Sequence, residues 1–284
     1  MTKMTRPNIM NRDSTLELIV ERLGNTPNDF SEKINHNESQ AGGERRLTAG
    51  VLLPLHYKNE GFVINLIKRS KLVSQAGDLG FPGGMLDPFL DRLFMHLMRF
   101  RCPPIMTGKA LRCARKRGKH SFATTALFLA NALRESWEEV RLNPINVKFL
   151  GPLPTYDLHL FQRSIFPLVG YVKKSQSLRS NEEVEKIIEI PLQSFFEDRH
   201  YAACLFINPD GSTHRRGNSY DFPCFIHNDS DGQEEILWGA TFQIIMSFLA
   251  IVFDYEMPSS YSKRTIEKRI NRSYLRGASP QEQS

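Results

Sequence analysis

Thr124–Val140 is the segment that most restricts how this chain can fold. Leu127, Ala130, Leu133, Trp137 and Val140 recur there at helical spacing, and Glu135, Glu138 and Glu139 stand at i, i+3 and i+4. On a helix the three carboxylates share one face and the apolar residues another. Like charges at that spacing repel in an isolated helix. The chain must therefore supply a core beneath one face and either a cation or open solvent over the other. Arg134 lies four residues before Glu138, where it can hold a carboxylate in place. Thr124 or Thr125 is expected to cap the helix.

Carboxylate oxygens are hard ligands that select Mg²⁺ or Mn²⁺. The six residues Arg134–Glu139 alone leave two readings open: a metal-binding face, or an acidic surface with Arg134 in an ion pair. The preceding loop, Gly77-Asp78-Leu79-Gly80-Phe81-Pro82-Gly83-Gly84-Met85-Leu86-Asp87, favours the first. Gly83-Gly84 lets backbone come close to a ligand such as a phosphate.

Around these motifs the pattern is that of a mixed α and β chain. Ser14-x-x-Glu17 is a capping-box pattern opening a short helix that ends near Gly24. Asn25–Arg45 reads as a polar linker. Leu47–Leu55 and Phe62–Ile67 read as strands joined by a turn at Asn59-Glu60-Gly61. Phe149–Leu153, Phe166–Val172 and Glu183–Ile190 read as further strands, the last running through Pro191 into a short helix ending at Glu197. Asn208-Pro209-Asp210-Gly211 reads as a turn between two further extended runs. Ile236–Phe253 carries no charge over 18 residues, the lower limit for a membrane span. Thr241, Gln243 and Ser247 interrupt it and acids flank it closely, so a buried helix is expected and no membrane association. The N-terminus, MTKMTRPNIMNRDS, has no apolar run of the secretory type, which makes a reducing, cytoplasmic setting the expectation.

Charge is concentrated. Nine Lys and Arg against one Asp between Asp91 and His120 give that segment +8, leaving −2 for the rest of a +6 chain. A second basic run spans Lys263–Arg276. Such runs are most often solvated loop and tail, and they also suit a polyanionic partner. Nucleic acid is the less favoured partner, because aromatics are not interleaved with the basic residues as stacking on RNA requires. His96, Cys102, Cys113 and His120 match no standard zinc spacing, so reduced thiols are expected. Cys204 and Cys224 are expected to be buried small hydrophobes. The sequence assigns no oligomeric state.

Arg134-Glu135-Ser136-Trp137-Glu138-Glu139 resembles the Arg-Glu-x-x-Glu-Glu end of the Nudix hydrolase box. More narrowly, Arg69-Ser70 followed by Gly77–Asp87 is similar to the signature of the coenzyme A pyrophosphatase branch. Asn181-Glu182-Glu183-Val184 and Leu237-Trp238-Gly239-Ala240-Thr241 are also similar to that branch, over roughly residues 45–253. The resemblance implies an α+β fold, a Nudix-type mixed β-sheet between α-helices. It divides the chain into an N-terminal helix and linker (1–45), a Nudix domain (46–256) with a basic insertion at 88–122, and a basic tail (257–284). It implies Mg²⁺ or Mn²⁺ on Glu135, Glu138 and Glu139, with Arg134 beside them. Arg69, Gly83 and Gly84 become candidates for contacting substrate, which is coenzyme A or acyl-coenzyme A, cleaved to 4′-phosphopantetheine and adenosine 3′,5′-bisphosphate. One box Glu, Glu182 or Glu183 would take the proton from water. The alternatives are another nucleoside diphosphate derivative (ADP-ribose, a dinucleotide, capped RNA) or a catalytically weak module holding nucleic acid.

The chain departs from the family pattern in four places. Gly84 precedes Arg134 by 50 positions, and the extra text is the basic segment. The early acid of the box has no normal counterpart, with Asp87 or Asp91 as its stand-in. Arg141 occupies the later Gly position, and Gln75 the place of the branch's usual His. A basic insert hinged beside Gly84 is placed to meet the 3′-phosphate of coenzyme A.

Overall fold

A computed structural model describes residues 11–39, 46–101, 105–158, 162–207, 221–269 and 274. The fold is α+β. Strands β1 (Leu47–Lys58), β2 (Gly61–Arg69), β3 (Leu79–Gly80), β4 (Gly83–Met85), β5 (Val147–Pro152), β6 (Tyr156–Leu158), β7 (Arg163–Val172) and β8 (Val184–Pro191) make one mixed sheet. β1 is its axis. It pairs in parallel with β7 and antiparallel with β2 and β4. Asn59 and Glu60 both take positive φ, 50° and 63°, the backbone a two-residue hairpin turn requires.

A second sheet was not foreseen from the sequence. It contains β9 (Tyr201–Ile207), β10 (Asp221–Asn228), β11 (Glu234–Leu237) and β12 (Thr265–Arg269), in the order β11-β10-β9-β12. β12 lies in the segment expected to be tail and pairs in parallel with β9. Cys204 and Cys224 are buried in this sheet and are not joined in a disulfide. The turn expected at Asn208–Gly211 lies outside the described residues.

The helices differ from expectation mainly where polar or basic text was read as loop. The helices are α1 (Arg12–Asn25), α2 (Phe30–Ser39), α3 (Pro88–Arg101), α4 (Gly108–Lys116), α5 (Lys119–Val140) and α6 (Gly239–Phe253). α1 starts earlier than the Ser14 capping box, because the Asn11 side chain accepts the Ser14 N–H at 3.1 Å. α2 replaces part of the expected linker. Phe30 seats it in the core, meeting Phe128 and Phe166 edge to face while those two rings stack at 3.8 Å, and Asn37 donates to the buried Ser164 hydroxyl at 3.1 Å.

α5 begins at Lys119, beyond Gly118, rather than at Thr124. Thr124 and Thr125 do not cap it; their hydroxyls donate back to the carbonyls of His120 and Ser121 inside the helix. Ile236 and Leu237 belong to β11, so the uncharged run is shared between a strand and a 15-residue helix whose Phe242, Ile245, Phe248 and Leu249 are buried. Among the described residues no helix is long and apolar enough to cross a membrane.

The basic insertion is structural. α3 packs along α5, and α4 against α1 and α5. Ile105, Met106, Ala110 and Ala114 are buried in the seam, while Arg112, Arg115 and Lys116 stay exposed. Among the residues weighed for zinc, His96 and His120 are exposed, Cys113 is a free thiol and Cys102 lies outside the described residues.

Removing a ring at the Phe30–Phe128–Phe166 contact leaves a void that close-packed neighbours fill only in part. Phe128→Ala is expected to cost about 3–5 kcal/mol, read as a lowered urea midpoint with an unchanged m-value.

Candidate active site

The backbone of the glycine loop meets the side chains of the acidic helix. Gly83 has φ +151°, and a Cβ there would stand 2.4 Å from the Gly50 carbonyl oxygen of β1. A Cβ on Gly84 would stand 2.5 Å from the carboxyl carbon of Glu135. Contacts that short do not occur, so only glycine brings β4 this close to α5. The Gly83 N–H then donates to Glu139 Oε2 at 2.9 Å.

Asn131, fully buried one turn earlier, seals the same junction. Its carbonyl oxygen accepts the Gly50 N–H at 2.7 Å, and its amide donates to the Met85 carbonyl and to Asp91 Oδ2, each at 3.0 Å. Neither Asn131 nor Gly50 was singled out from the sequence. An Asn on the apolar side of a helix was the available signal, since a buried amide demands partners.

Asp87 and Asp91 have different partners. Asp91 of α3 is fully buried and accepts from Arg134 Nε at 2.7 Å. Asp87 instead caps α3 through the N–H groups of Phe89 and Leu90. Arg134 spreads its remaining donors over Glu135, at 2.7 Å, and Glu138, at 2.9 Å. The insertion thus supplies the carboxylate that anchors Arg134, and Arg134 holds two acids of the box.

The three acids do not share one environment. Glu139 is 6% exposed, whereas the Glu138 side chain is half exposed. Burial pushes the Glu139 carboxyl up to about 8; the Gly83 N–H and Arg69 work against that shift, and Glu135 and Glu183 add to it. Burial also raises Glu135, with the Arg134 charge opposing. Trp137 was expected to help seat the helix. Instead it is 44% exposed beneath the Arg141 guanidinium, 5.7 Å from its ring centre. Phe128, Leu129, Leu133 and Val140 face the core in its place. Arg141 itself takes the left-handed conformation, φ 57°, that closes α5, the conformation for which glycine is favoured.

Other sequence candidates gather at the same end of α5. The N–H groups of Arg179 and Asn181 bond the Val140 and Glu139 carbonyls, docking the loop that leads to Glu183. The Ser70 N–H bonds the Glu183 carbonyl at 2.9 Å, and the Arg69 Nε–H bonds the Ser74 carbonyl at 2.8 Å. Sequence reading missed Arg163, at the start of β7. Its Nε is buried with no hydrogen-bond partner among the described residues. Burial, and then the Arg69 charge, lower its pKa. Only the parallel pairing of β7 with β1 brings Arg163 to this end of the sheet.

Among the described residues no three His, Cys, Asp or Glu side chains stand together as a metal site. The arrangement explains this: Arg134 draws Glu138 and Glu135 toward itself, while Glu139 turns to Gly83. The donor set nonetheless suits a hard cation. Glu139 is a buried carboxylate within the fields of Glu135 and Glu183, and a divalent ion would offset that accumulated negative charge.

Relatives bear on which chemistry this is. A protein designated NudL, an uncharacterized Nudix hydrolase of Salmonella paratyphi B, is 31% identical over 174 residues, 61% of this chain and 68% of that protein. The chain belongs to the Nudix hydrolase family. The Nudix hydrolase NudL of Photorhabdus laumondii is 28% identical over 203 residues, covering 69% of this chain and 80% of the relative. The protein is therefore a Nudix hydrolase acting on diphosphate bonds. No family model matches the chain. Among solved structures, a C. elegans Ap4A hydrolase is 12% identical with a TM-score of 0.34, over 52% of this chain and 82% of that one. The Nudix domain of Shewanella oneidensis NrtR, solved with ADP ribose, is 12% identical with a TM-score of 0.34, over 58% and 85%. Those superpositions are too loose to bear on the site.

The raised Glu139 pKa has a consequence for the metal-free protein. Between its ordinary value of 4.5 and about 8, the folded carboxyl keeps a proton that the unfolded chain has released. Stability should therefore fall as pH rises through that window. In EDTA, Glu139→Gln is expected to be more stable than the parent at pH 9, by on the order of a few kcal/mol, and to lose that advantage at pH 4. Thermal melts across pH read this directly. A pH-independent difference between the two proteins would contradict it.

Proposed function

We propose that the protein is a Mg²⁺- or Mn²⁺-dependent pyrophosphohydrolase that cleaves coenzyme A or acyl-coenzyme A to 4′-phosphopantetheine and adenosine 3′,5′-bisphosphate. The observation that carries this reading is the contact between Gly83-Gly84 and the Glu135 and Glu139 carboxylates. It joins the loop resembling the coenzyme A pyrophosphatase signature to the acidic box, so a diphosphate lying on the loop would lie beside the acids. Glu135 and Glu139 would hold the cation, with Glu138 as the third carboxylate once it leaves Arg134. When bound, the ion supplies Lewis-acid polarisation of the phosphoryl group and acidifies bound water.

The chain's own groups do the rest. Arg69 and Arg163 bring two cations to one end of the sheet, which an anionic substrate would relieve. The Gly83 N–H orients Glu139, and Asp91 through Arg134 orients Glu135. Glu183, tied by its backbone to Ser70, is the favoured proton acceptor outside the box. A cavity of about 260 Å³, lined by Pro82 and Val140 next in chain to Gly83 and Glu139, and by His56, Asn65 and Leu178, offers room for part of the organic moiety. Exposed Arg92, adjacent in chain to Asp91, is the insertion's candidate for the 3′-phosphate.

Product release from coenzyme A, acyl-coenzyme A, ADP-ribose, dinucleotides and capped RNA, with and without Mg²⁺ or Mn²⁺, tests the proposal. Coenzyme A esters should be turned over with the highest kcat/KM. A clear preference for another nucleotide would replace the substrate assignment while leaving the diphosphate chemistry. Glu139→Gln should lower kcat by about 10³-fold or more with an intact circular dichroism spectrum; near-normal turnover would refute its metal role. Arg92→Gln should narrow the KM difference between coenzyme A and its 3′-dephospho form. An unchanged difference would remove Arg92 from the reading.

A further inference from the structure

Asp78 lies inside the glycine loop, and its carboxylate is nearly buried. A buried carboxylate needs donors. Three side chains supply them, all from the last quarter of the chain. Trp238 Nε1–H, just after β11, donates to Oδ1 at 3.0 Å. Lys268 of β12 donates to the same oxygen, and the Tyr274 hydroxyl to Oδ2. Lys268 Nζ also stands 5.3 Å from the Trp238 ring centre. Tyr274 grips the loop twice, because its carbonyl accepts the Gln75 N–H at 2.5 Å.

The gripped residues are those that shape the surroundings of Arg69. The Arg69 N–H bonds the Asp78 carbonyl at 3.0 Å, and the Gly77 N–H bonds the Arg69 carbonyl at 2.9 Å. The Arg69 guanidinium is aimed by the carbonyl of Ser74, next in chain to Gln75. Outside contacts help hold this shape, because Gln75 keeps a left-handed φ of 59°, a conformation that costs a non-glycine residue energy, whereas Gly77 takes its φ of 78° freely.

We infer that Tyr274, with Lys268 and Trp238, is a positioning clamp: by holding Asp78 and Gln75 it sets the Ser70–Asp78 loop and thereby the direction in which Arg69 presents its guanidinium to substrate phosphate. The clamp assigns a role in substrate binding to a segment that reads in sequence as a basic tail. It rests on the reading of Arg69 as a phosphate contact, but not on the choice of coenzyme A.

The test uses the full chain and inorganic pyrophosphate with Mg²⁺, titrated calorimetrically. Arg69→Ala should raise Kd about tenfold or more. Tyr274→Phe keeps the ring, the Gln75 contact and two of the three Asp78 donors, and should raise Kd by about three- to tenfold. Lys268→Met should act in the same direction. The double variant Arg69→Ala/Tyr274→Phe should bind no more weakly than Arg69→Ala alone, because the clamp acts through Arg69. Fully additive losses, or a Tyr274→Phe protein with a lowered melting temperature and an unchanged Kd, would overturn the clamp and leave Arg69 in place. No effect of Arg69→Ala, or no binding by the unaltered protein, would overturn the phosphate-contact reading and the clamp with it.

Discussion

The site depends on backbone meeting side chain without a Cβ between them. β4 runs so close to α5 that the Glu135 carboxyl occupies the space a side chain at Gly84 would take, and the Gly83 N–H reaches Glu139 directly. That approach buries Glu139 and drives its pKa upward. It also ties the acids to the sheet, because β4 pairs with β1 through Gly50 and Val51. Asn131 then binds β1, β4 and α3 to a single turn of the helix. A larger residue at either glycine would separate the loop from the acids, and no rearrangement of surface charge would restore the contact.

The insertion becomes intelligible from the same junction. A run of about thirty residues at +8 reads as solvated text. Its first helix nevertheless carries Asp91, fully buried, to Arg134. Removing one partner of a buried ion pair leaves the other charge uncompensated, so the insertion is bound into the box and is not a detachable arm. Its exposed cations lie on the outer side of α4, whose inner alanines pack into the fold. Charge count alone could not separate these faces, because it ignores which side of a helix each residue occupies.

Arg134–Glu139 and Gly83-Gly84, marked out in the sequence by their resemblance to the Nudix motifs, are in contact, and the Arg69 charge acts on Glu139; the strand pair around the Asn59-Glu60 turn follows from alternation and turn chemistry. Reading failed where polar text folds because a few apolar anchors suffice. Phe30, with Ile34 beside it and Asn37 bonded to Ser164, draws α2 out of an apparent linker, and β12 forms because an edge of β9 is available to pair with it. Trp137 was misplaced for a related reason. Helical spacing marks a face, but the buried side of α5 is centred on Phe128, Ala132, Ser136 and Glu139, and Trp137 falls just outside it, over Arg141.

The sequence by itself determined that helices and strands are mixed, the acidic turn of α5 and the glycines that admit it, since these depend on local periodicity and on backbone freedom within a few residues. Only the tertiary structure decided that Asp91 rather than Asp87 anchors Arg134, that Glu139 and not Glu138 is the buried acid, and that Tyr274 closes on a loop nearly 200 positions earlier. The physical reason is the same in each case. Desolvation and hydrogen-bond partnership depend on which distant segments are brought within about 3 Å of one another, and that is set by packing, not by spacing along the chain.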